Sequence, residues 1–328
     1  MRQVAVVTTG FFDGVHLGHR HVLETVVSSA RERGEEAIVV TFWPHPRAVL
    51  QQDARDFRLL TSLEEKKALL AAAGIDRVEV LPFTSAFAAM KADEYLRLLQ
   101  ERFGASLVVM GYDNRIGSDR LTAGQMCCCP TVGCADPSHG KPWAPPSYTA
   151  EGGHGLENNT SVPPQIIVVD AVPCLSGQSD ECISSTRIRK ALEAGEVERA
   201  HAMLGYGYGL YGVVVAGNRL GRTIGFPTAN MQLYEPLKLV PCNGVYAVEV
   251  EVLGGQYKGM CNIGTRPTVG GTTRTIETHI LDFDQDIYGL PMQIRFLQRI
   301  RDERRFPSLE ALKAQLSEDS ARVRTMDR

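Results

Sequence analysis

No window of the 328-residue chain approaches the roughly 20 consecutive apolar residues that a membrane-spanning helix needs. Net charge is scarce too. Lys and Arg number 35 against 38 Asp and Glu, a formal charge of −3. That gives no general attraction to nucleic acid or to an anionic membrane, so any phosphate must be held locally. C-x-x-C pairs are missing, although there are eight cysteines. Cys127, Cys128, Cys129 and Cys134 crowd into one stretch; Cys174, Cys182, Cys242 and Cys261 are scattered. Adjacent cysteines chelate one ion poorly, so a zinc site there with His139 is disfavoured. A chain with 44% hydrophobic residues builds its core without disulfides, and a reduced, cytoplasmic protein is expected. Residues 1–7 read as a first strand rather than a leader. No motif specifies an oligomeric state.

The first part of the chain alternates short apolar runs with amphipathic segments. Strands are expected at Val4–Thr8, Ala37–Phe42, Val78–Leu81, Leu107–Met110 and Ile166–Val169. Helices are expected at Leu17–Arg33, from Ser62 as cap, and at Ala92–Phe103 before Gly104. Strands that are apolar throughout and separated by helices imply a parallel sheet covered on both faces. From 121 to 164 periodicity gives way to Pro, Gly, Ser and Asn, an irregular insertion. After Gly205 five segments carry β-branched or alternating residues: Leu210–Ala216, Val245–Val252, Tyr257–Ile263, Glu277–Leu281 and Met292–Ile300. They imply a small antiparallel barrel, followed by a helix capped by Ser308.

Two glycine-spaced stretches carry chemistry. In the first, Gly10, Phe11, Phe12, Asp13 and Gly14 lead from a strand into His16 and His19. Glycines admit a ligand close to the backbone, and the following helix turns free N–H groups outward, which suits phosphate. Two imidazoles three residues apart share a face and can stabilise charge on phosphoryl oxygens, or bind a metal. Ser185, Thr186 and Arg189 open another helix and offer hydroxyls and a guanidinium of the same use. A turn with incidental histidines and a capped, solvated helix is the plain alternative. The second stretch runs from Gly217 through Gly221, Gly225 and Pro227 to Thr228 and Asn230. Its backbone can wrap phosphates, and the two side-chain oxygens suit Mg²⁺. Glu277, on a later strand, faces either solvent or a pocket, where it can take a proton from a hydroxyl.

The stretches "GFFDGVHLGHRHVL", "TFWPHPRAVL", "LLTSLEEKKALL", "VVMGYDNRIG" and "ISSTRIRKAL" resemble the adenylyltransferase module of bacterial bifunctional riboflavin kinase/FAD synthetases. "GRTIGFPTAN", "NGVYAVEV", "CNIGTRPTVGG", "IETHILDFDQDIYG" and "RDERRFPSLEALKAQL" resemble its kinase module. The resemblance implies an α/β nucleotidyltransferase domain with a Rossmann-like parallel sheet over 1–190. It implies a six-stranded Greek-key barrel over 191–328. It further implies that His16, His19, Ser185, Thr186 and Arg189 contact ATP phosphates and that Asp113 lies near flavin and nucleotide. Thr228 and Asn230 become Mg²⁺–ATP ligands, and Glu277 the base for the ribityl 5′-hydroxyl. The implied substrates are riboflavin, FMN and ATP, and the products FMN and FAD; no nucleic acid or membrane partner is expected. The 121–164 insertion departs from the family pattern, and Asn114 and Ile116 stand where the family carries aromatics. A kinase with an impaired adenylyltransferase domain and a flavin-binding protein without turnover are the rival readings.

Overall fold

The computed structural model describes residues 4–46, 49, 57–112, 114–119, 121–122, 164–169, 182–217, 220–268 and 271–326. The chain forms two compact units. The first comprises Met1–Phe57, Leu63–Pro173 and Asp180–Cys182, and the second Arg58–Ser62, Cys174–Ser179 and Ile183–Arg328.

The first unit runs β1 (Ala5–Thr9), α1 (Leu17–Arg33), β2 (Glu36–Trp43), α2 (Leu63–Ala72), β3 (Arg77–Pro82), α3 (Ser85–Ala88), α4 (Ala92–Phe103) and β4 (Ala105–Gly111). The hairpin strands β5 (Arg115–Ile116) and β6 (Leu121–Thr122) follow, then β7 (Gln165–Val169). The sheet order is β3-β2-β1-β4-β7, and every neighbouring pair is parallel. Alternation divides the strands between two apolar layers. Ala5, Val7, Ile38 and Val40 pack with Tyr95, Leu99 and Phe103 of α4. Val6, Val39 and Leu107 pack with Leu23, Val26 and Ala30 of α1. This two-sided burial is why the strands are apolar throughout. Chain order departs from β1 in both directions, so the sheet's topological switch lies at the carboxyl ends of β1 and β4, where doubly wound sheets open a crevice.

Helix ends are set by local chemistry. The His16 side chain caps α1 by accepting from the His19 N–H, and Gly34 ends it at φ 65°. Gly104, at φ 69°, ends α4. The one-turn α3, capped by Thr84, has no counterpart in the sequence expectations; four residues are too few to carry a periodic signal. Apart from 121, 122 and 164, the irregular insertion lies outside the described residues, as do its four clustered cysteines and Asp113.

The second unit begins with α5 (Ser185–Glu193) and α6 (Val197–Leu204). It continues β8 (Gly209–Val215), α7 (Leu220–Thr223), β9 (Ala229–Leu233), β10 (Gly244–Val252), β11 (Gly255–Thr268), β12 (Gly271–Ile280), β13 (Pro291–Arg301) and α8 (Leu309–Thr325). The strands close a barrel in the order β10-β11-β12-β9-β8-β13, all antiparallel. Strand β9 pairs with β12 and β8 rather than with β10, which makes the path a Greek key. It is the sixth strand, absent from the five β segments read from the sequence, because it emerges directly from the glycine-rich stretch. The helix α8 is fastened to the barrel by Asp319, whose buried carboxylate accepts from Arg301 at 2.9 and 2.8 Å and from Gln315 at 2.9 Å.

The compact units part earlier than residue 190. In α5, Ile188 and Leu192 are fully buried, and the Leu192 carbonyl accepts from the Cys242 N–H at 3.1 Å. Leu59 exchanges backbone bonds with Leu237 and Leu239 of the same unit. Side-chain burial and these backbone bonds gather α5 and residues 58–62 with the barrel.

Candidate active sites

In the first unit the glycine stretch lies at the carboxyl end of β1, as its position between strand and helix requires. The Gly10 N–H donates to the Val40 carbonyl at 3.1 Å, and the Val15 N–H to the Phe12 carbonyl at 3.1 Å. Phe12 at φ 47° and Val15 at φ 35° occupy the left-handed region beside Gly14 at φ 84°. For a phenylalanine and a β-branched valine that is strained backbone, of the kind that clusters at functional sites. Burial of Phe12, Asp13, Val15 and His16 holds the turn in place.

The histidines sit over this turn. Their rings stack at 3.7 Å between centroids with a 16° tilt, and Phe12 meets His19 edge-on at 5.1 Å. His16 Nδ1 accepts from a backbone N–H at 3.3 Å. A neutral His16 ring therefore carries its proton on Nε2. His19 Nδ1 is buried and has no partner among the described residues. Burial holds His19 well below the usual imidazole range, and His16 and Lys66 add to that.

Lys66 escapes the sequence reading. It is 2% exposed; burial lowers its pKa while Asp13 acts in the opposite direction. The available signal was its spacing, since Leu63, Lys66 and Leu70 share one helical face. Deeper in the sheet, Thr9 and Tyr95 share a 2.6 Å hydrogen bond, and Asn114 donates to the Thr9 carbonyl at 2.8 Å. An aromatic group including Phe11, Phe42, Phe83 and His45 adjoins them. Ser185, Thr186 and Arg189 belong to the second unit. Ser184 caps α5, and Arg189 Nε donates to the Arg58 carbonyl at 2.8 Å.

The second unit carries the other constellation. On β12, Ile276, Thr278 and Ile280 are buried while Thr275, Glu277 and His279 are partly exposed, the alternation of a strand with two different faces. Glu277 stands directly opposite Asn230 on β9, and Thr278 opposite Ala229. Each face meets its own cleft of about 300 Å³. One holds Glu277 with Asn262, His279 and apolar groups including Phe226, Phe306 and Leu312. The other contains Thr278, Arg222, Asp284, Asp286, Ile287 and Tyr288. Thr228 lines both.

The loop is shaped to fit. A Cβ on Gly217 would come within 2.1 Å of Asn230 Nδ2, and one on Gly221 within 2.1 Å of the Phe226 carbonyl. Gly225 has φ 84°. A side chain at 217 or 221 would force a neighbour to move, and one at 225 would strain the backbone. The Pro227 carbonyl accepts from His279.

Comparison with known proteins resolves what this pair of sites belongs to. A family model described as riboflavin kinase matches residues 204–326, and one described as FAD synthetase matches residues 1–128. A bifunctional riboflavin kinase/FMN adenylyltransferase from Bacillus subtilis is 35% identical, over 96% of this chain and 90% of its own. Its namesake from Escherichia coli K12 is 36% identical, over 97% and 91%. The chain belongs to the bifunctional riboflavin kinase/FMN adenylyltransferase family. A crystal structure from Streptococcus pneumoniae shares the fold with a TM-score of 0.84 and 31% identity, covering 100% of this chain and 96% of its own. That structure is titled a macrolide-efflux protein; in this family member no helix among the described residues is long and apolar enough to cross a membrane. The sheet and barrel expected from the resemblance are both present.

Proposed function

We propose that this chain phosphorylates riboflavin to FMN at the barrel and adenylylates FMN to FAD at the parallel-sheet module, with ATP as co-substrate in both steps. The sequence division at 190/191 is proposed as the boundary between these activities, and the cytoplasm as their setting. The carrying observation is the register of Glu277 against Asn230, with Thr228 lining the clefts on both sides.

In the kinase step the cleft with Phe226, Phe306 and Leu312 suits the flavin ring and the cleft with Arg222 suits the nucleotide. Glu277 accepts the proton of the ribityl 5′-hydroxyl as its oxygen attacks the γ-phosphorus and ADP leaves. The Thr228 hydroxyl and Asn230 carboxamide oxygen are hard ligands of the kind Mg²⁺ takes, and the Asn230 amide seats directly against Gly217, where a Cβ would displace it. Bound there, Mg²⁺ would offset phosphate charge. The backbone of Gly221, Gly225 and Pro227 shapes the loop around the phosphates.

In the adenylyl step the FMN phosphate attacks the α-phosphorus of ATP and pyrophosphate departs, without a covalent enzyme intermediate. The residues Gly10, Phe11, Phe12, Asp13 and Gly14 form the phosphate turn. His16 and His19, kept close by stacking, donate to phosphoryl oxygens as charge builds. His19 is neutral near pH 7, so it acts as a hydrogen-bond donor rather than a fixed cation. Ser185, Thr186 and Arg189 keep the phosphate-binding role that the resemblance gives them, and Asp113 the flavin-side role.

The test is a product assay with each flavin supplied separately. Riboflavin with Mg²⁺ and ATP is expected to yield FMN and then FAD. FMN with ATP is expected to yield FAD and pyrophosphate. FMN without FAD would reduce the chain to a kinase; neither product would leave a flavin-binding protein.

A further inference from the structure

His279 lies two residues beyond Glu277 on β12, on the same face and in the same cleft. Its Nδ1 is 2.8 Å from the Pro227 carbonyl oxygen. A carbonyl can only accept, so the proton sits on Nδ1, and the opposite ring nitrogen of the neutral form is an acceptor. The Phe226 ring packs edge-on against the imidazole at 5.2 Å, which fixes its plane. Pro227 directly precedes Thr228, and Asn230 follows two residues later. The imidazole thus ties the β12 face that presents Glu277 to the segment that presents both oxygen ligands.

We propose that His279 is a positioning residue for phosphoryl transfer, its Nδ1–H bond to the Pro227 carbonyl setting Thr228 and Asn230 at a fixed reach from Glu277. This rests on the kinase assignment above. Burial lowers the His279 pKa; Pro227 and Asp282 act to raise it and Arg324 to lower it. The ring is neutral at neutral pH, and the bond needs no change of protonation.

Three substitutions separate positioning from bulk. Asparagine can place an N–H where Nδ1 stands, glutamine places its amide nearer the Nε2 position, and alanine offers neither. Each full-length variant is assayed for Mg²⁺–ADP binding by calorimetry, for kinase kcat and KM, for FMN adenylylation, and for thermal unfolding. His279→Ala is expected to weaken Mg²⁺–ADP binding about tenfold and to lower kinase kcat about 100-fold through misplacement. FMN adenylylation should stay within threefold. His279→Asn should recover most of both losses, and His279→Gln should not. Equal rescue by Gln and Asn, or wild-type binding and kcat in His279→Ala, overturns the proposal. Thr228→Val and Asn230→Ala are run beside them. If these two leave binding and transfer intact, the kinase assignment falls and the proposal with it. If they abolish transfer while His279→Ala does not, only the positioning role falls.

Discussion

Replacing Gly217 with alanine should disable the kinase by moving a different residue. A Cβ at 217 would lie 2.1 Å from Asn230 Nδ2 and 2.6 Å from its Cγ, where ordinary contact begins near 3.4 Å. One of the two must shift by about 1.3 Å, the difference between 3.4 and 2.1. The obstacle is a side-chain amide, not backbone, so the cheaper response is for Asn230 to swing away. A displacement of about 1 Å in a positioning group costs on the order of 100-fold in rate. Kinase kcat in Gly217→Ala should therefore fall about 100-fold, while FMN adenylylation and the melting temperature stay near wild type. Gly225→Ala is the contrast: its Cβ meets nothing within 4 Å, but its φ of 84° strains any side chain. There the loss should appear in stability, about 1 kcal/mol, more than in kcat. A Gly217→Ala enzyme with full kinase turnover would refute the reasoning, because it would mean the Asn230 amide need not occupy its observed place.

Glu277→Gln should lower riboflavin phosphorylation by 10²–10⁴-fold, the usual worth of a general base, and leave conversion of supplied FMN to FAD intact; loss of both activities in folded protein would contradict two separate sites. His19→Ala should do the reverse, measured as pyrophosphate release from FMN and ATP. Burial, with Arg295 adding repulsion, pushes His201 down to about 4. The group stays neutral in the fold and takes a proton in the unfolded chain, so its contribution is complete above about pH 6.5 and lost as pH falls towards 4. The shift caps the effect near 3 kcal/mol, and partial exposure reduces it to about 1–2 kcal/mol. Urea midpoints of His201→Gln should accordingly fall less between pH 7.5 and 4.5 than those of the wild type; parallel curves would exclude this source of acid sensitivity.

Elements whose ends depend on neighbouring residues were legible in the sequence. Helices α1 and α4 begin and end where the spacing predicts, because a side-chain cap at His16 and left-handed glycines at 34 and 104 are local devices. Strand β9 was not legible. Its five residues follow directly on a glycine-rich loop, and their register comes from Glu277 and Thr278, far along the chain. The alternation of β12 announced two faces but not that each borders a cleft. Lys66 in a run of charges looks solvated; only tertiary packing makes the position interior. The Asp319 carboxylate is similar, since its partner Arg301 lies on another element. Packing partners that are distant in sequence leave little local trace.

Residues 58–62 and helix α5 are built into the barrel's unit although the chain on either side of 58–62 serves the sheet. No single cut therefore separates the two compact units. A fragment starting at 191 would leave behind the buried Ile188 and the backbone ladder that Leu59 makes with Leu237 and Leu239. A gene split anywhere between the two matched family segments would likewise part Leu59 from Leu237 and Leu239, a pairing that a single polypeptide keeps intact.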